Sequence, residues 1–123
     1  MNEEEFKART QQLALRIIRL IQALPETPVG QVIGKQLLRS GTSVGVNYRA
    51  ACRGKSRADV AAKLAIVEEE ADETLYWLDL LVEADVVPKA KLEPLMQETD
   101  EILAMTVASI KTLRTAAGLK PSS

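Results

Sequence analysis

Residues 28–54 read PVGQVIGKQLLRSGTSVGVNYRAACRG, and the spacing within them decides the fold. Wound at about 100° per residue, Ile33, Leu37, Val44 and Ala51 fall on one side of a helix, and Lys35, Arg39, Arg49 and Arg53 lie within about 40° of the reverse. Arg57, just past Gly54, continues the row, which spans about 33 Å if the helix is unbroken. One edge is a core stripe and the other is a row of five cations. Thr27 before Pro28 supplies an N-cap and first turn, and Gly54 suits the C-terminal stop.

The glycines of this helix need a reason. Gly41 and Gly45 each cost roughly 1 kcal/mol relative to alanine in a helix interior. They share a flank with Tyr48 and Cys52, which predicts a neighbouring helix lying close against it. Ser40, Ser43 and Asn47 can hydrogen-bond back to the helix or across to that neighbour. Gly41, Gly45 and Asn47 are therefore read as packing residues. A phosphate-cradling loop is the rival reading, but the segment matches neither a P-loop nor a dinucleotide fingerprint.

Three further helices follow from the same logic. Phe6, Leu13, Ile17, Leu20 and Leu24 recur at three-and-four spacing over residues 3–24, ending where Pro25 and Pro28 forbid continuation. Ser56-Arg57-Ala58-Asp59 reads as a capping box. It opens a helix that runs to about Ala84 with Val60, Leu64, Val67, Ala71, Leu75, Leu78 and Val82 inward. A fourth helix begins near Pro88 and reaches about Arg114, with Leu92, Leu95, Ile102, Thr106, Ile110 and Leu113 inward. Pro94 is expected to kink this helix or mark its start. Four long helices joined by tight turns pack antiparallel, so the fold class is all-α, an up-down-up-down four-helix bundle over residues 1–114. Residues 115–123, with Gly118 and Pro121, read as a flexible tail.

Composition removes several functions. The 123 residues contain no histidine, which excludes a Ser-His-Asp triad, a Cys-His pair and a His-ligated metal site. The helix-borne carboxylates lack the Glu-x-x-His repeats of di-metal bundles. Neither a metal nor a cofactor nor a small-molecule substrate is expected, and the chain reads as non-enzymatic. The single Cys52 forms no internal disulfide; it reads as a small packed residue, the rival reading being a thiol whose pKa its basic neighbours lower. No apolar run is long enough to span a bilayer, and the acidic start Glu3-Glu4-Glu5 differs from a secretory signal. The expected location is the cytoplasm.

The formal net charge of −1 conceals a segregation. Residues 6–57 hold ten bases and one acid, whereas residues 58–101 hold three bases and thirteen acids. Either the two halves attract each other within and between chains, or the basic half meets an anionic partner. The cation row Lys35, Arg39, Arg49, Arg53 and Arg57 offers a salt-sensitive, sequence-blind contact to RNA or DNA. The same five residues can instead pair with acids of the third helix. On that helix Ile66, Trp77 and Leu80 cluster near Glu70 and Glu73, an apolar spot suited to a subunit interface or to capping the bundle's own core.

The stretch Gln36–Arg49, then Cys52–Asp59, then Lys63-Leu64 and Glu70–Leu78 resembles the 23S rRNA intervening-sequence proteins, the S23-like four-helix-bundle family, over roughly residues 8–113. The resemblance implies a bundle assembled in rings of five, encoded in bacterial genomes, with no assigned molecular role. A related branch, accessory proteins of diversity-generating retroelements, binds a reverse transcriptase and nucleic acid through a basic surface. Where the family often has glutamate, this chain has Ala50, and the family favours an aromatic near Val60. The expectation is a homo-oligomer, a pentamer, that contacts RNA or DNA; the alternative is a protein scaffold without nucleic acid.

Overall fold

The computed structural model describes residues 2–116. It consists of α1 (Glu3–Ala23), α2 (Pro28–Ala51), α3 (Arg57–Glu83) and α4 (Lys89–Ala116), joined by turns in an antiparallel four-helix bundle. The start signals act as expected. Asn2, Thr27 and Ser56 sit in extended conformation at the N-caps, and their side chains accept from the backbone N–H of Glu5, Gly30 and Asp59. The fourth helix starts where expected, just past Pro88, and only its C-terminal end differs from the sequence reading. Pro94 lies inside α4 and does not start it, because the helix begins right after Pro88. Thr115 and Ala116 belong to α4; the rest of the expected tail lies outside the described residues.

α2 is unbroken through Gly41 and Gly45. Ile33, Leu37, Val44 and Ala51 are all buried, where they join Leu13 and Ile17 of α1, Leu64, Val67, Ala71 and Leu78 of α3, and Ile102 and Ile110 of α4 in one core. The glycine flank faces α1. A Cβ on Gly41 would stand 2.9 Å from Ile17 Cγ1, and one on Gly45 3.2 Å from Thr10 Oγ1. Asn47 donates to the Ser43 carbonyl one turn back at 2.8 Å, so it secures its own helix. The link to α3 is made by Ser40, whose hydroxyl meets Thr74 Oγ1 at 3.1 Å in the core.

The helices form a ring of neighbours α1-α2-α3-α4 in which α1 and α4 touch least. Their seam is latched by Arg9, whose Nη2 and Nε donate to Glu98 at 2.6 and 3.0 Å and whose Nη2 also reaches Glu101 at 3.2 Å. That pairing holds the Arg9 pKa above its ordinary value.

Ile17 is fully buried and branched at the contact, so it cannot swing aside for a larger neighbour. Gly41→Val should therefore destabilise the fold by about 2–3 kcal/mol in urea unfolding. Gly45→Ala, facing a hydroxyl at longer range, should change stability by less than about 1 kcal/mol, since the helix-propensity gain offsets the closer contact.

Candidate functional site

The face of α2 opposite the core is not uniformly cationic. At alternating three- and four-residue steps it presents Val32, Lys35, Arg39, Thr42, Val46 and Arg49, and Arg53 follows in the turn after the helix. Val32 and Val46 are 60% and 68% exposed. A solvated face has no need of valine at its most exposed positions, and the sequence reading, intent on the charges, passed over both.

The five predicted cations divide. Arg39 is spent inside the molecule: its Nη1 donates to the Glu70 carboxylate at 3.2 and 3.3 Å, and its Nη2 to Glu73. The same Glu73 oxygen accepts from the Trp77 indole N–H at 3.0 Å. Lys35, Arg49 and Arg53 are exposed and have no carboxylate within ion-pair distance among the described residues. Arg57 does not ride on α2, which stops at Ala51; it is the first residue of α3 and donates Nη1 to the Ala116 carbonyl at 3.3 Å. The row on the helix thus runs from Lys35 to about its end, about 24 Å at the helical rise, and turns a corner at Arg53, Lys55 and Arg57.

On α3 an outward stripe of the same spacing reads Ala62, Glu69, Asp72, Tyr76, Asp79 and Glu83, with Ala65 at its edge half-buried against the core. Tyr76 is 60% exposed with its ring edge against Trp77, centroids 5.1 Å apart. Of the apolar spot expected here, Ile66 is exposed, whereas Trp77 and Leu80 are half-buried against the core. Tyr76 takes the outward place instead. The signal was present, since 76 lies seven residues from both Glu69 and Glu83.

The bundle's chemistry is otherwise quiet. Glu3, Phe6, Tyr48, Cys52 and Val60 help line a cleft of about 560 Å³ where α1 starts and α4 ends. Burial pushes the Cys52 thiol pKa up, and a hydrogen bond to Glu3 adds to this; the Tyr48 hydroxyl and, more weakly, Lys7 oppose it. The basic neighbours therefore do not activate it, because charges on the surface act less strongly than the loss of water around the sulfur. The Cys52 thiol in turn holds the Glu3 carboxyl below its ordinary range, and burial raises the Tyr48 hydroxyl. Among the described residues no group of cysteine and carboxylate side chains is arranged to hold a metal ion. None of the described helices is long and apolar enough to cross a membrane.

These features define an all-helical bundle protein whose distinctive chemistry is on its outer helix faces. The model of the 23S rRNA-intervening sequence protein family matches residues 3–108, and the chain belongs to that family. A solved structure, a protein of unknown function from the S23 ribosomal protein family of Bacteroides thetaiotaomicron, superposes with a TM-score of 0.83 at 37% identity, covering 90% of this chain and 99% of that one. Comparison with curated proteins gives no match.

The Arg39–Glu70–Glu73 network is partly exposed, so its contribution is modest and screened. Replacing both Glu70 and Glu73 with glutamine should lower stability by about 1 kcal/mol at low salt, and the difference should shrink in 1 M NaCl, where the Debye length falls to about 3 Å. Trp77 is the only tryptophan, so its emission reports the same change through its altered indole partner.

Proposed function

We propose that this chain is a non-catalytic assembly protein of the bacterial cytoplasm, built from copies that join the α2 stripe of one to the α3 stripe of the next. One observation supports this reading above the others. Two outward stripes of equal spacing carry valines among cations on α2, and tyrosine among acids on α3. Repeats of three and four residues are the spacing with which helices of separate chains interlock, and opposite charges along such seams select the partner. The stripes lie on different faces of one bundle, so their contact is head-to-tail and closes into a ring when the rotation permits. Five copies, the number the family resemblance implies, is the expected count.

The test is sedimentation of the intact chain with paired variants. Wild type should sediment at five times the 13.5 kDa of one chain. Val32→Asn/Val46→Asn and Asp72→Asn/Tyr76→Ser should each weaken assembly by about ten-fold or more, roughly 1.4 kcal/mol. Mixed one to one, the two variants should form a dimer, because each retains the face the other lacks. A wild type that stays monomeric at high micromolar concentration, or a mixture that behaves as its separate parts, sinks the reading.

A second reading, contact with RNA or DNA, is favoured by Arg49, Arg53, Lys55 and Arg57, which gather where α2 hands over to α3 and have no carboxylate partner among the described residues. Their charge is free to displace counterions from a phosphate backbone. Binding to duplex DNA should then fall with salt at a log–log slope of about −3 to −4, and Arg53→Gln/Arg57→Gln should flatten that slope by about 2. Binding that ignores salt, or a slope unchanged in the variant, excludes this corner as the contact.

A further inference from the structure

The seam between α1 and α4 is closed electrostatically at one level and left open at another. Near the start of α1, Arg9 is met across the seam by Glu98 and Glu101. Two and three turns further along, α1 presents Arg16 and Arg19, and α4 answers with Lys91. These three cations line one cleft of about 440 Å³ together with the apolar side chains of Leu20, Val87 and Leu92, among others, and no carboxylate lines it. None of the three has an ion-pair partner among the described residues. The first turn of α4, which opens beside the cleft, holds no acid either, although the positive end of a helix favours one.

Like charges converging across a seam repel, and an apolar floor beneath them is poorly served by water. Both defects are relieved by one kind of occupant. We propose that this cleft binds a small amphipathic anion, a phosphate or carboxylate head on a short apolar body. The head lies among Arg16, Arg19 and Lys91, and the body covers the half-buried Leu20 and Val87 above the core residue Leu92. The arrangement has the composition of a small-molecule site, a mostly apolar lining with a few convergent polar groups, and its volume lies in the range such sites occupy. It sits at the opposite end of the bundle from the Arg53–Arg57 corner and depends on neither assembly nor nucleic acid.

Calorimetric titration of the full chain at low salt with hexyl phosphate, heptanoate, inorganic phosphate and hexylamine tests the assignment. Hexyl phosphate or heptanoate should bind about ten-fold or more tightly than either inorganic phosphate or hexylamine, and whichever of the two binds better identifies the head. Arg16→Gln/Arg19→Gln/Lys91→Gln should weaken that binding about ten-fold. Lys111→Gln, a cation removed from the far end of α4, should leave it unchanged. In the absence of ligand the triple variant should unfold at a higher temperature than wild type at low salt, with the gap closing as salt rises, since it loses a repulsion. Equal binding of hexylamine, equal binding of inorganic phosphate, or a triple variant that binds as wild type does overturns the proposal.

Discussion

Ile17 and Thr10 occupy the space that side chains on Gly41 and Gly45 would need, and this exclusion fixes how α2 is rolled about its own axis. With the glycine flank held against α1, Ile33, Leu37, Val44 and Ala51 have no direction left but inward. The opposite stripe, from Val32 to Arg49, has none but outward. The backbone freedom that two interior glycines leave in the unfolded chain works against the fold. What offsets it is the close approach of two helix backbones and the packing contacts it allows.

Charge is arranged in two layers by the same roll. On the inner rim, where α2 meets α3, Arg39 reaches Glu70 and Glu73, and Glu73 also satisfies Trp77. The attraction between a basic first half and an acidic second half is therefore used within the chain, but only in part. Lys35, Arg49 and Arg53 on one side, and Glu69, Asp72 and Glu83 on the other, point outward. An ion pair at the surface gains little, so stability alone gives weak grounds for keeping the halves so unlike. A surface meant to recognise its own complement gives stronger grounds, because charge sets orientation and excludes wrong partners even where it adds little affinity.

The apolar stripes and caps were legible in the sequence, because Thr27-Pro28 and Ser56–Asp59 carry their own backbone instructions and the core of α2 repeats cleanly. The buried threonines were mostly not. Thr10, Thr74 and Thr99 lie in the core beside the leucines, yet a hydropathy pattern scores them as polar; Thr106 alone was placed inward. Each returns its hydroxyl to a carbonyl three or four residues earlier on its own helix. The hydrogen bond is thus made locally and the methyl is free to pack. On α3 the inward stripe drifted: Ala61, Thr74 and Leu81 are buried, while Val60, Leu75 and Val82 are half-buried, since the expected stripe advances more than about 3.6 residues per turn and the buried one less, as in helices that coil left-handedly about each other. Of the outer surface, the cations were visible as charges, but their partners were not. Arg39 and Arg49 look alike in sequence, and only the placement of Glu70 and Glu73 on α3 opposite Arg39 separates the paired one from the free one.

The position of α1 in this scheme explains why surface features gather at its edges. It is bound to α2 by the glycine contacts and to α4 through the shared core and the Arg9 latch, and a cleft lies at each end of that thinner seam. The local stability of a helix follows its buried apolar contacts, so the seam with the fewest contacts is the one that opens at least expense to the core. Arg9 supplies the pairing that keeps it shut at one level, and Arg16, Arg19 and Lys91 leave it without such a pairing at the next. Placing like charges on both walls of the loosest seam concentrates the unbalanced electrostatics of the molecule where an anion can enter without disturbing the core.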